Sequence, residues 1–229
     1  MHEGVASQLA DHVLARQRGD KRLLVALAGP PGAGKSTLAA DLVTRLCAQA
    51  GPGSAALVPM DGFHLDNADL QAKGLLERKG APETFDGAGF VSLVQAVRAD
   101  QGKIAYPLFD RAQDKTLPDA GTLDTNARIA VFEGNYLLLA TGDWAGLAGL
   151  FDMTVLIDVP LPVLRARLVA RWLDHGLSQP RAEARADSND MVNARTVLGQ
   201  SAEPDLCLRV QSDGRITVTL SQNGVRHVG

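Results

Sequence analysis

The run Leu23-Leu24-Val25-Ala26-Leu27-Ala28 is apolar at every position, with no polar residue between Arg22 and the glycine that ends it. A strand with one wet face alternates, whereas a strand apolar throughout is covered on both faces, as in a parallel sheet. Ala55 to Pro59 is a second short strand, Ile129 to Phe132 a third and Thr154 to Val159 a fourth, and Leu206 to Val210 and Ile216 to Leu220 read as two closing strands. Between these runs the apolar period becomes helical. Residues 3–17 place Val5, Ala6, Leu9 and Val13 at helical spacing, and Lys35 to Gln49 is a helix ended by Gly51-Pro52-Gly53. Gly87 to Asp100 and Arg181 to Leu198 are read the same way. So is Leu161 to Asp174, with Pro162 in its first turn and Leu164, Leu168 and Trp172 on one face. Residues 64–86 hold one short helix in polar, Gly/Pro-rich sequence. Lys103 to Pro118, with two prolines, reads as an irregular loop, and His175 to Pro180 breaks the helical pattern.

Strands alternating with helices imply βαβ units and a parallel sheet covered on both faces. The expectation is an α/β fold, one domain over 1–229. No internal repeat or low-complexity linker divides it.

The first strand leads into Gly29-Pro30-Pro31-Gly32-Ala33-Gly34-Lys35-Ser36-Thr37, and a helix follows. Gly-x4-Gly-Lys-Ser between a buried strand and a helix is the context a P-loop requires. Glycines let the backbone approach phosphates with successive N–H groups pointing inward, and the helix N-terminus adds partial positive charge. Lys35 is placed on the β- and γ-phosphates, Ser36 on Mg²⁺ and Thr37 on the α-phosphate. The fold expected is therefore the three-layer P-loop NTPase sandwich with a mostly parallel central sheet. Glu133 ends the apolar strand Ile129–Phe132 and precedes Gly134, which fits the acid expected beside the metal; it also reads as a strand-end carboxylate in solvent.

Asp61 ends the second strand in Met60-Asp61-Gly62-Phe63-His64. A carboxylate there lies at the carboxyl edge of the sheet, where the γ-phosphate emerges, and can accept a proton from an acceptor hydroxyl. Asp-Gly also favours a turn on its own account. His64 is a candidate substrate contact or a polar surface residue. Tyr106, Phe109 and Arg111, in Tyr106-Pro107-Leu108-Phe109-Asp110-Arg111, either line a small-molecule pocket or belong to a proline-stiffened surface loop.

Arg167 and Arg171 lie four apart on one helix, with Arg165 nearby. Like charges at that spacing cost about 0.2–0.5 kcal/mol in an isolated helix. A transferred phosphoryl group would reverse the sign, which marks 161–199 as a small helical lid; a solvated basic face relieved by Asp174 is the other reading. Arg181, Arg185, Asn189, Asp190 and Asn193 are weaker candidates for the lid and are expected mostly at the surface.

Composition narrows the partners. Net charge is −3, so no basic field invites nucleic acid or an anionic membrane. The two cysteines, Cys47 and Cys207, show no CxxC spacing and read as small core residues. The polar N-terminal stretch shows no secretory pattern, and no apolar run is long enough to span a bilayer. A cytoplasmic protein is expected, with a homodimer left open.

Together, Gly-Pro-Pro-Gly-Ala-Gly-Lys-Ser-Thr, Met60-Asp61-Gly62-Phe63-His64 and Phe132-Glu133-Gly134-Asn135-Tyr136 resemble the P-loop kinase superfamily of uridine kinase, phosphoribulokinase and type-I pantothenate kinase. Arg78-Lys79-Gly80-Ala81-Pro82-Glu83-Thr84-Phe85-Asp86 is similar to a segment of the pantothenate kinases. From Leu23 to about Asn193 the chain resembles bacterial nucleoside/nucleotide kinase-like proteins, some labelled fructose transport system kinases. The resemblance implies ATP and Mg²⁺, Asp61 as catalytic base, Glu133 on the magnesium side and Arg167 and Arg171 in the lid. No histidine follows Phe109-Asp110-Arg111, unlike the nucleoside-binding loop of uridine kinases, so the acceptor does not transfer with the fold. A nucleoside, a pantothenate-like alcohol and a sugar all remain. A regulatory P-loop ATPase and a nucleotide-gated binding protein are the other functions weighed. Asp61 and the arginine helix favour a kinase over both.

Overall fold

A computed structural model describes residues 2–19, 21–100, 102–211 and 214–220. The chain runs through α1 (His2–Arg16), β1 (Leu23–Ala28), α2 (Lys35–Ala50), β2 (Ala55–Pro59), α3 (Asn67–Ala72), α4 (Gly87–Arg98), β3 (Ile104–Asp110) and β4 (Lys115–Leu123). It continues with β5 (Ile129–Gly134), β6 (Met153–Asp158), α5 (Leu161–Asp174), α6 (Gln179–Arg185), α7 (Met191–Gln200), β7 (Leu206–Val210) and β8 (Ile216–Leu220).

Six strands form one sheet in the order β2-β5-β1-β6-β7-β8, parallel except for β8, which runs antiparallel to β7. The unbroken apolar run of β1 is explained by its neighbours, since it pairs with β5 on one side and β6 on the other. Leu23, Val25 and Leu27 enter one core with Leu38, Leu42 and Leu164, while Leu24, Ala26 and Ala28 enter the other with Phe90 and Phe132. Helices α1, α2 and α5 supply the first layer and α4 the opposite one, giving three layers around the sheet.

The lid segment is docked. Leu164 and Leu168 of α5, Ala182 of α6 and Ala194 of α7 belong to the same core as β1. Its helix after Pro180 is interrupted by a π turn over Ala186–Asp190.

Lys103 to Pro118 is not an irregular loop, and the expectation for it is corrected. β3 and β4 pair as an antiparallel hairpin whose register shifts between Tyr106 and Leu108, at Pro107. A two-stranded ribbon consists of edges, so a proline at a bulge interrupts no interior ladder. Asp110 closes the turn by accepting from the backbone N–H groups of Ala112 and Gln113, and Asp114 takes a φ of 50° there. Both cysteines are free and half-buried. Among the described residues no helix is long and apolar enough to cross a membrane.

Candidate active site

Parallel register brings the pieces to one edge. Ala28 pairs with Gly134 and Pro59 with Glu133, so the loop after β1, the turn after β2 and the end of β5 share the carboxyl edge of the sheet. Gly34 caps α2 with a φ of 89°, a conformation that suits glycine and turns the following N–H groups inward.

Lys35 is buried, at 7% exposure. Its ammonium donates to the Pro30 carbonyl at 3.0 Å and to Asn135 Oδ1 at 2.6 Å. Burial pushes its pKa down; the Glu133 and Asp61 carboxylates oppose the drop, and the Arg171 and Arg111 guanidiniums add to it. Glu133 is equally buried and its pKa is pushed up, again by burial, although Lys35 and a hydrogen bond from Ser36 act the other way. The buried lysine, inward N–H groups and Ser36–Glu133 pair fit a triphosphate accompanied by a hard cation. Ser36 and Glu133 are the groups here that could hold such a metal. Among the described residues no cluster of three or more His, Cys, Asp or Glu makes a metal site of protein ligands alone.

Asp61 lies in a 3₁₀ turn, Met60–Phe63, pressed against the hairpin. A Cβ at Gly62 would fall on the Pro107 carbonyl, so only glycine permits this approach. From the hairpin Arg111 reaches back, with Nη2 2.8 Å from Asp61 Oδ2. The His64 ring stacks on Phe85 with centroids 4.0 Å apart and lies 4.8 Å from Phe109. Lys79 Nζ sits 5.1 Å over Phe109 and bonds Asn67 and Asp114. Burial drives the His64 pKa from 6.5 to about 4; Lys79 and Arg111 add to the drop, while Asp61 and Asp114 resist it.

Asp61, His64, Phe109 and Arg111 are thus brought together. Tyr106 is not. Its side chain turns into the core, and its hydroxyl donates to the Leu57 carbonyl at 2.9 Å. Alternation along β3 puts Tyr106 on the face opposite a neighbour one residue on, which an irregular loop does not predict.

The lid arginines separate. Arg167 donates to the Gly32 carbonyl at 3.2 Å, directly on the phosphate loop. Arg171 lies 5.0 Å over the Trp172 ring and 3.3 Å from Asp190, close enough to Lys35 to lower its pKa. Arg165 forms an exposed pair with Asp187. Asn189, Asp190 and Asn193 are buried, at 5%, 7% and 2%, which corrects the surface placement expected for them. Asn189 donates to the Lys79 carbonyl at 2.9 Å, and Asp190 accepts from the Trp172 indole at 2.6 Å.

Sequence reasoning gave no site role to Lys79, Phe85 and Asn135, and held Asn189 only as a weak candidate. Asn135 was within reach, two residues past Glu133 in the same strand-end motif. Asn189 and Asn193 carried a weaker signal, four apart and in step with Ala182 and Ala186 on the apolar stripe.

No family model matches the sequence. The chain is 37% identical over 201 residues to "Uncharacterized protein YggC" of Escherichia coli strain K12, covering 87% of this chain and 82% of that one. With "Putative uridine kinase C227.14" of Schizosaccharomyces pombe the identity is 36% over 210 residues, covering 88% and 89%. Among solved structures, the "putative fructose transport system kinase from Silicibacter sp. TM1040" shares 48% identity with a TM-score of 0.83, covering 88% of this chain and 98% of that one. With relatives this similar over most of their lengths, and with the phosphate loop and strand-end acid together at one sheet edge, the chain belongs to the P-loop kinases, alongside the uridine kinase-like proteins.

Proposed function

We propose that this kinase transfers the γ-phosphoryl group of ATP to a hydroxyl of a small metabolite, with Asp61 as the base. The observation that carries the reading is the meeting of Asp61 with the buried Lys35 ammonium on one sheet edge, close enough for the Asp61 carboxylate to oppose the drop that burial causes in the Lys35 pKa. In the step, the acceptor oxygen bonds to the γ-phosphorus as its proton passes to the Asp61 carboxylate. The bond between the γ-phosphorus and the β–γ bridging oxygen breaks, and ADP leaves. Arg111 orients the carboxylate. Lys35 spreads its charge over the β- and γ-phosphates, Arg167 lies on the loop where charge builds on the transferred group, and Arg171, held by Trp172 and Asp190, acts on that region through its charge.

Ser36 and Glu133 would hold Mg²⁺, whose chemistry is charge neutralisation between the phosphates. The acceptor would lie against His64, Phe109 and Arg111, with the rings as an apolar wall. A nucleoside, a pantothenate-like alcohol and a sugar remain the classes to try. A net charge of −3 supports a metabolite rather than nucleic acid or an anionic membrane as partner. A cytoplasmic reaction would be in keeping with its use of ATP.

The test is a screen of those alcohols with purified protein and MgATP. One acceptor should accelerate ADP release and gain the mass of one phosphoryl group. Basal hydrolysis that no acceptor accelerates would favour a regulatory ATPase.

A further inference from the structure

Asn135 is the first residue beyond the sheet at the end of β5. Gly134 before it pairs with Ala28 of β1, and a Cβ at Gly134 would fall on the Met60 side chain. The chain therefore passes close against the turn that carries Asp61. Asn135 stands at the carboxyl edge of the sheet, between that turn and the lysine of the phosphate loop.

The bond to Lys35 fixes which way the amide faces. An ammonium only donates, so the atom 2.6 Å from it is Oδ1. The amide nitrogen is the other arm of the same planar group, and it has no hydrogen-bond partner among the described residues. It is not shut in either. Asn135 is half-buried, and Nδ2 is not one of the buried nitrogens that lack a partner, so it is accessible. On the lysine side, Pro30 and Asn135 take two of the three ammonium N–H groups, at 3.0 and 2.6 Å, which leaves the third for a phosphate.

The chemistry that suits this position is narrow. Asp61 and Glu133 already set two carboxylates near the ammonium, so a third would repel phosphates. A cation in place of Asn135 would repel Lys35. A carboxamide avoids both, because it presents an acceptor to the ammonium and uncharged donors to a phosphoryl oxygen.

We propose that Asn135 binds the γ-phosphoryl group: its Oδ1 holds Lys35, its free amide N–H groups donate to a γ-phosphoryl oxygen, and the site tells ATP from ADP through this residue. The inference rests on reading the site as one for ATP, and not on the acceptor.

The test is titration calorimetry on the full chain without acceptor, using Mg²⁺ with ADP or with adenylyl imidodiphosphate, a non-hydrolysable ATP analogue. Asn135→Leu keeps the volume and removes both the oxygen and the donors. Affinity for the triphosphate analogue should fall about tenfold or more, as for loss of a hydrogen bond to a charged group, and affinity for ADP by less than about threefold. Asn135→Ala should give the same split, and it carries the test if circular dichroism shows that the leucine variant does not fold. A residue that only held Lys35 would weaken both nucleotides alike, because Lys35 serves the β- and γ-phosphates together. Equal weakening, or no weakening of the triphosphate analogue, would overturn the proposal and leave the kinase reading standing. An acceptor screen that finds no substrate would count against the kinase reading and leave this split in place. Wild-type protein that binds neither nucleotide would overturn both.

Discussion

The phosphate loop and the acceptor wall share one sheet edge and are built in opposite ways. Gly29 to Thr37 are consecutive, and their N–H groups are aimed by the backbone of one turn and one helix start. The acceptor wall has no such continuity. His64 comes from the turn after β2, Phe85 from the extended residue that follows the 3₁₀ turn Pro82–Thr84, Phe109 and Arg111 from the hairpin, and Asn189 from the π turn. A site made by local backbone depends on single side chains only for chemistry. A site assembled across the fold also depends on side chains that touch no substrate. The two halves should therefore respond differently to substitution.

The largest effect is expected on the donor side. Lys35→Ala removes the buried ammonium from the phosphates, and kcat/KM should fall by roughly 10³-fold. Folding gains the desolvation cost of the lost charge but loses the partner of the Pro30 carbonyl, Asn135 and Glu133, so Tm should change far less than turnover. Steady-state kinetics and a thermal melt check both parts, and retained turnover would remove Lys35 from the mechanism. Asp61→Asn follows, with kcat lower by about 10²-fold and ATP affinity nearly unchanged. An unchanged kcat would leave the carboxylate as a turn residue held by Arg111.

The same contrast governs what could be read from the chain. β1 and β5 were legible because strands covered on both faces leave unbroken apolar runs, β2 and β6 because short apolar stretches recur between helices, and the phosphate loop because its function is a local conformation. The hairpin was hidden by Pro107 and Pro118, which argue against a strand unless the strand is an edge. Tyr106 was grouped with Phe109 by proximity in sequence, and strand alternation parted them. Asn189 and Asn193 look like surface polarity until the Lys79 backbone is brought against that helix face, since no spacing records a contact between residues 110 apart.

Asn189→Ala sharpens the comparison at intermediate size. It leaves the Lys79 carbonyl, whose segment carries Lys79 over Phe109, with only the longer 3.4 Å hydrogen bond from Arg185 Nη2. The acceptor KM should rise about tenfold with kcat and ATP affinity little changed, and stability should fall by about 1–3 kcal/mol. An effect on ATP binding equal to that on the acceptor would mean that the two halves are not separable.

The smallest effect at neutral pH belongs to His64, and its sign follows from its surroundings. Its ring is closed in by Phe85 and Phe109, with Lys79 and Arg111 resisting a further positive charge and Asp61 and Asp114 too weak to offset burial. With the folded-state pKa at about 4 against 6.5 in the unfolded chain, the unfolded state binds the proton first as pH falls. The neutral ring's contribution is complete above about pH 6.5 and is lost on the way down to about pH 4, amounting to about 0.7 kcal/mol between pH 7 and pH 6. His64→Phe keeps a flat ring on Phe85 and cannot titrate, so its stability should change less over that interval. Denaturant melts of both proteins at the two pH values measure the difference, and parallel losses would mean that the acceptor wall tolerates a charged ring. A charged ring is tolerated only where water enters, so that outcome would replace an assembled, partly dry wall with an open cleft and remove the contrast between the two halves.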